Sequence, residues 1–231
     1  MKQLIHRYLN LLYPPKCVFC DKLLQEGEEY FCRSCGEKIP MAEGEELCRK
    51  GAYFDRCVAP LYYDDMVRAS FLDYKFHEKS WRSVTYAAFL EPYVRKEFPQ
   101  LDVVTWVPLG RRSYKDRGFD QSELLAKELA KRLGLPCEKM LEKIRDTRQQ
   151  SRLQMPEERK ANVLGAYEVK KDASVSGRCI LVVDDVITTG STMDECCRVL
   201  SVAGAAQIHC AALAQAVGKV AKLSQESKKD D

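Results

Sequence analysis

The stretch 180–192 concentrates side chains able to handle phosphate. Two carboxylates, Asp184 and Asp185, follow an apolar run, and Thr188, Thr189, Gly190, Ser191 and Thr192 come soon after. Hydroxyls and the backbone N–H groups of a helix start can surround a dianionic phosphate. Gly190 lets the backbone approach such an anion closely. The carboxylates just upstream can accept hydrogen bonds from sugar hydroxyls or help hold Mg²⁺. An ordinary strand–loop–helix junction uses these residue types one at a time, and the whole string together favours a ligand. No G-x-x-x-x-G-K-[ST] occurs in the sequence, which excludes a Walker-type nucleotide loop.

A second set of chemically able residues lies near the start. Cys17-Val-Phe-Cys20 and Cys32-Arg-Ser-Cys35 are two C-x-x-C knuckles with eleven residues between them. Two knuckles can present four thiolates tetrahedrally to one Zn²⁺. Four thiolates close the coordination shell and leave no place for water, so this zinc is expected to be structural. A redox C-x-x-C uses one pair beside a βαβ unit, not two pairs. Cys48 and Cys57 stand outside any knuckle and are expected to pack or to be stray thiols.

The elements that must position these groups can be read from periodicity. Residues 1–13 carry Leu4, Ile5, Tyr8, Leu9 and Leu12 at helical spacing, stopped by Pro14-Pro15. This reads as a helix on a core, not as a signal peptide. Residues 16–57 are Cys-rich, acidic and without a long periodic element, a segment that needs a metal staple. Helices are expected at 65–77 and 83–98, and a short strand at 103–107. Residues 120–134 give the clearest helix, with Asp120 as a cap three residues before Glu123 and Gly134 as a stop. Residues 145–162 are polar with little periodicity. The apolar runs 179–183 and 208–213 read as buried strands flanking a helix at 191–203, hence a parallel α/β sheet.

Composition bounds the remaining choices. The 231 residues suffice for one full domain and a small appendage, and 45% hydrophobic with 31% charged residues excludes a largely disordered chain. The formal charge of +3 excludes a strongly basic coat protein for nucleic acid but leaves room for a basic patch. Apolar runs are far shorter than the roughly 20 residues a membrane helix needs. Eleven cysteines, an odd number, argue for a reducing compartment, so a cytoplasmic location is expected.

The thirteen-residue string 180–192 closely resembles the phosphoribosyl-pyrophosphate (PRPP) signature of type I phosphoribosyltransferases. That resemblance implies five parallel core strands and a small hood, a 5-phosphate in the 188–192 loop, and ribose hydroxyls at Asp184 and Asp185. Further stretches narrow it: Val107-Pro108-Leu109-Gly110-Arg111-Arg112, then Arg117-Gly118-Phe119-Asp120-Gln121, and later Arg145, Thr147, Gln150, Leu153, Arg159, Asn162, Ala166 and Tyr167. With the zinc knuckles, this order resembles the ComF/GntX family over essentially the whole chain. Asp120 departs from that pattern, where Asn is usual, as does Tyr167, where Phe is usual. A further knuckle that many relatives carry near Cys48 and Cys57 is also missing.

The resemblance implies a fold class of α/β, a type I phosphoribosyltransferase-like parallel sheet flanked by helices, with a small N-terminal four-cysteine zinc-binding module. Residues 1–58 would hold the helix and knuckles, 59–221 the main domain, and 222–231 a polar tail. Pyrophosphate would meet Pro108, Leu109, Gly110, Arg111, Arg112 and Lys75. Arg117, Gln121, Gln150 and Arg159 would belong to the closing loop or hood, together with Arg145 and Arg152. The implied ligands are PRPP or a related ribose phosphate with Mg²⁺, beside structural Zn²⁺. The implied function is PRPP binding linked to DNA uptake in natural transformation, with phosphoribosyl transfer to an acceptor that no residue identifies. The alternatives are a sensor without turnover, or an accessory factor touching single-stranded DNA or a competence helicase through the zinc knuckles and the 111–117 cations. His6, His77 and His209 have no assigned role, and Trp81 and Trp106 are expected to pack.

Overall fold

Strands rich in Val, Ile, Leu and Ala are stable in parallel when both faces are covered. Here β7 (Cys179–Ile187) and β8 (Gln207–Gln215) pair in this way from Ile180↔Ile208 to Ile187↔Gln215. The computed structural model describes residues 14–76, 79–145, 147 and 156–216. The expected helix at 1–13, the tail from 222, and His6, His77, Gln150 and Arg152 lie outside the described residues.

Before these central strands come a short helix at the second knuckle, α1 (Arg33–Gly36), and the strands β1 (Cys48–Arg49), β2 (Arg56–Val58), β3 (Leu61–Tyr62) and β4 (Val103–Trp106). The sheet order is β1-β2-β8-β7-β4, with β3 also on β8. Strands β2 and β3 share one side of β8 in succession, since Pro60 between them has no N–H to donate. Every pairing within this sheet is parallel except that of β1 with β2.

Among the described residues this gives four parallel positions, not the expected five. Beyond β4 the ladder shrinks to a single parallel bridge, Val104↔Cys137. Pro136 accepts from Val104 N but has no N–H to extend the ladder. The chain then turns off into β5 (Leu141–Lys143), which pairs antiparallel with β6 (Tyr167–Val169) as a separate two-stranded ribbon.

Alternating strand residues feed two cores. Leu181, Val183, Ala211, Leu213, Val104 and Trp106 meet α2 (Asp65–Phe76), α3 (Arg82–Glu97) and α5 (Gln121–Leu133) on one face. Ile180, Val182, Cys210 and Ala212 meet α7 (Ser191–Val202), β5 and β6 on the other. Cys57, Cys196, Cys197 and Cys210 belong to this second core, as small buried apolar groups.

Three elements differ from their expected extent. Strand β7 runs on through both carboxylates to Ile187, because pairing to β8 continues past the apolar run. Residues Arg111–Arg117 form a helix, α4, for which periodicity gave no element. Pro156–Val163 forms α6 inside the stretch without periodicity.

The N-terminal module docks on α2 and α3. Tyr30 and Phe31 meet Phe89 edge-on at 5.8 and 6.2 Å. Buried Arg82 donates to Ser70 O at 2.8 Å and to Asp21 Oδ1 at 2.9 Å, joining the first knuckle to both helices.

Candidate functional site

Strand β7 delivers the two carboxylates to its carboxyl end, where open α/β sheets bind ligands. Neighbouring strand residues diverge to opposite faces. Asp184 lines a small open pocket with Val186, Ile187, Thr188, Gly190, Ser191, Thr192 and Met193. Asp185 faces Lys75 of α2 and Gln121 of α5: Lys75 Nζ sits 2.5 Å from its Oδ2, and Gln121 Nε2 donates to the same oxygen at 3.4 Å.

The pocket wall is polar and open. Residues 188 to 192 are all half-buried. Gly190 adopts φ +82°, a left-handed conformation that L side chains avoid, and it caps α7. Thr189 Oγ1 and Ser191 Oγ share a hydrogen bond at 2.9 Å. The first N–H groups of a helix have no carbonyl partner within it, so the start of α7 favours an anion.

Electrostatics sharpen the acid pair. Desolvation, then the charge of Asp185, pushes Asp184 up to about 7. Ser122 Oγ donates to Asp184 Oδ1 at 2.8 Å, which counters part of that rise. A carboxyl poised near neutrality can exchange its proton for a cation or a sugar hydroxyl contact.

Asp120 joins two segments beside the pocket. Its Oδ1 accepts from Ser122 N and Glu123 N at 3.0 and 3.2 Å, as the cap of α5. Its Oδ2 accepts from Leu109 N at 2.8 Å. A carboxylate has two acceptor oxygens where Asn has one, so the departure from Asn lets one side chain serve both segments. Burial raises the Asp120 pKa and these backbone bonds oppose the rise.

Other expected residues are placed as follows. Pro108 and Gly110 are buried and Leu109 half-buried in the turn before α4. Arg111 and Arg112 are exposed on α4, and Lys75 lies at Asp185. Arg117 donates to Gln121 Oε1 at 2.8 Å, so Arg117, Gln121, Asp185 and Lys75 form one chain of contacts. Arg145 is exposed and donates to Asn162 O and Leu164 O, tying the segment after β5 to the end of α6. Arg159 is half-buried on α6, and Gln150 lies outside the described residues.

Residue-by-residue reading missed Ser122, the partner of Asp184, and Arg49, which donates to Thr188 O at 2.6 Å. The Ser122 contact had a signal, since it opens the helix capped by Asp120. Arg49 had none, lying 139 residues from its partner.

The four knuckle thiols converge. The ligand atoms of Cys17, Cys20, Cys32 and Cys35 all lie within 4.8 Å of one another, with Cys20 Sγ and Cys32 Sγ at 3.6 Å. Zn–S bonds of about 2.3 Å in a tetrahedron place sulfurs about 3.8 Å apart, so the set fits zinc. Knuckle turns hold them: Asp21 N donates to Cys17 O, and Gly36 N to Cys32 O. A hydrogen bond from Ser34 draws the Cys32 thiol down to about 6, while burial raises Cys35. Cys48 is half-buried and Cys57 buried in the next hairpin, as expected for packing. Among the described residues no helix is long and apolar enough to cross a membrane.

Comparison with known proteins agrees with this architecture. A phosphoribosyl transferase domain model matches residues 120–231, and a double zinc ribbon domain model matches residues 8–64. Competence protein F of Haemophilus influenzae is 27% identical over 209 residues, 87% of this chain and 85% of that protein. The DNA utilization protein YhgH of Salmonella typhimurium is 30% identical over 203 residues, 84% of this chain and 87% of that protein. This chain belongs to the ComF family. Its fold is the α/β type I phosphoribosyltransferase fold, with the zinc ribbon at the N-terminal end. Among solved structures, the glutamine PRPP amidotransferase from B. subtilis matches 61% of this chain at 23% identity and TM-score 0.41. This chain spans only 30% of that larger one. An adenine phosphoribosyltransferase matches 63% at 16% identity and TM-score 0.40, over 75% of its own length.

Proposed function

We propose that this ComF-family chain binds PRPP or a related ribose phosphate in the pocket at the end of β7, and that it serves DNA uptake or utilisation. The observation that carries the reading is the joint placement of Asp184, the half-buried 188–192 loop and the start of α7 around one open pocket. In this reading the loop takes the 5-phosphate and Asp184 takes ribose hydroxyls. Asp185 stays neutralised by Lys75 until the ligand arrives. Mg²⁺ bound with PRPP would offset pyrophosphate charge, and the carboxylate of Asp184 suits its oxygen-only chemistry.

If turnover occurs, the C1–O bond to pyrophosphate breaks as a C1–N bond to a nitrogenous acceptor forms. The acceptor proton is released and pyrophosphate leaves. The chain's share would be electrostatic: cations facing the leaving group, and carboxylates near the ribosyl cation that develops. The hood ribbon β5–β6 would exclude water from that centre. The relatives' printed names, Competence protein F and DNA utilization protein, support the cellular role. The cytoplasm is the proposed place, since four thiolates on zinc need a reducing environment.

The deciding experiment is calorimetric titration of the protein with PRPP and MgCl₂. Saturable binding that is lost in Thr188→Ala and Asp184→Ala supports the pocket. No binding by the wild type, or binding unaltered in both variants, overturns it. A second reading, contact with single-stranded DNA, is favoured by one observation: Arg111, Arg112 and Lys115 lie exposed on α4.

A further inference from the structure

The loop that closes the pocket is held from outside by a hairpin of the N-terminal module. Strands β1 and β2 enclose residues 50–55, and this hairpin touches the loop region at two points. At the first, Arg49 donates to Thr188 O at 2.6 Å. At the second, Asp194 Oδ1 accepts from Ala52 N at 2.8 Å and from Tyr53 N at 3.2 Å. Thr188 opens the loop and Asp194 sits in the first turn of α7, so the two contacts bracket the whole 188–192 segment. Gly51 makes the second contact possible. A Cβ built there would overlap both the Phe54 ring and Asp194 Oδ1.

We infer that Arg49 is a positioning residue for phosphate binding. It acts through the backbone of the loop, and Asp194 anchors the hairpin that carries it. The inference rests on the ribose phosphate reading above. A peptide unit is planar and trans, with its C=O and N–H on opposite edges. Fixing the Thr188 carbonyl against Arg49 therefore fixes the direction of the Thr189 N–H, which points away from the guanidinium. Gly190 follows at φ +82°, and glycine is the residue whose backbone is least restrained by its own side chain. A loop of this kind needs an external restraint if its N–H groups are to be set before an anion arrives, and preorganised donors bind more tightly than donors that must first be ordered.

Arg49 also suits the task chemically. Its planar guanidinium offers several donors in a fixed fork. The hairpin lies within the region matched by the double zinc ribbon, yet it carries only Cys48 and Cys57 and no complete knuckle. Asp194 and Thr188, both from the phosphoribosyltransferase domain, hold this part of the ribbon by hydrogen bonds.

The test uses the full chain with ribose 5-phosphate as probe, since that ligand presents the 5-phosphate without pyrophosphate. Arg49→Ala is expected to weaken binding about tenfold or more, and Arg49→Lys to recover part of the loss by restoring one donor. Amide hydrogen exchange at Thr189 and Gly190, measured without ligand, should quicken in Arg49→Ala and in Asp194→Ala while exchange in β7 stays unchanged. Wild-type binding matched by Arg49→Ala, or unchanged exchange at 189 and 190, overturns the inference. Failure of the wild type to bind ribose 5-phosphate overturns the ribose phosphate reading instead, and the exchange data then decide the positioning role alone. Should Arg49→Ala not fold, Arg49→Lys and Asp194→Ala carry the same measurements.

Discussion

Lys75 Nζ lies 2.5 Å from Asp185 Oδ2, a contact that joins helix α2 to the ligand end of strand β7. Both side chains are mostly shielded from water. Removing one partner of such a pair leaves an uncompensated charge, so Lys75→Met is expected to lose about 3 kcal/mol of stability. Replacing both, as Lys75→Met with Asp185→Asn, should restore most of it. Urea unfolding of the wild type and the two variants measures the difference. Equal losses in the single and double variants would show that the pair contributes nothing.

Asp184 predicts a pH dependence with a definite sign. Its pKa is about 7 in the folded chain, against 3.8 for an ordinary aspartate. Between those values the folded state holds a proton that the unfolded chain has released, so this group's contribution to stability falls as pH rises from about 4 to about 7. Asp184→Asn should therefore raise the melting temperature most above pH 7 and hardly at all near pH 4. If Mg²⁺ binds with PRPP at Asp184 as proposed, it needs the ionised form, so affinity should rise with pH and level off above about 7. In Asp184→Asn that rise should be absent.

Asp120 tests the link between the 107–110 turn and α5. Asp120→Ala removes the acceptors for Leu109, Ser122 and Glu123 at once, and loss of a helix cap alone costs about 1 kcal/mol. Asp120→Asn keeps one acceptor oxygen and should be milder. Chemical denaturation gives the stability order wild type, Asn, Ala. An alanine variant as stable as wild type would show that the contacts do no more than water would.

How much of this was legible depended on locality. Helix α5 could be read because its cap and its stop, Asp120 and Gly134, lie in the same short stretch, and both act as expected. The cysteine cluster could be read because metal geometry fixes the spacing within each knuckle. The acid and hydroxyl string could be read because one strand, one loop and one helix start follow each other directly. Contacts between distant segments were not legible. The sequence carried no sign of the ion pair between Lys75 and Asp185, nor of Arg49 meeting Thr188. Helix α4 escaped because it buries no residue and so shows no apolar stripe. Its ends are set by Gly110 and by Gly118 at φ +77°.

The four-cysteine centre predicts about one zinc per chain, lost in Cys17→Ser or with a strong chelator. Metal loss should loosen the knuckles first. The Asp21–Arg82 contact then weakens, and the buried guanidinium of Arg82 loses part of its compensation. Hydrogen exchange should quicken at Asp21 and Gly36, whose amides close the knuckle turns, before it quickens in β7 or β8. Simultaneous loss of protection in knuckles and sheet would instead make the zinc a staple for the whole fold.

Helix α4 offers the sharpest test of contact with nucleic acid. Arg111, Arg112, Tyr114 and Lys115 are all exposed on it. Cations that meet single-strand phosphates release counterions, giving a slope of about −0.7 in log affinity against log salt for each contact. A triple alanine variant at 111, 112 and 115 should therefore flatten the slope by about 2 if all three touch phosphate. Tyr114→Ala should weaken binding by about 1–3 kcal/mol if a base stacks on the ring, and should leave the slope unchanged. Fluorescence anisotropy with a labelled oligonucleotide over a salt series reads both quantities. A slope that the triple variant does not change would remove α4 as a surface for nucleic-acid phosphates.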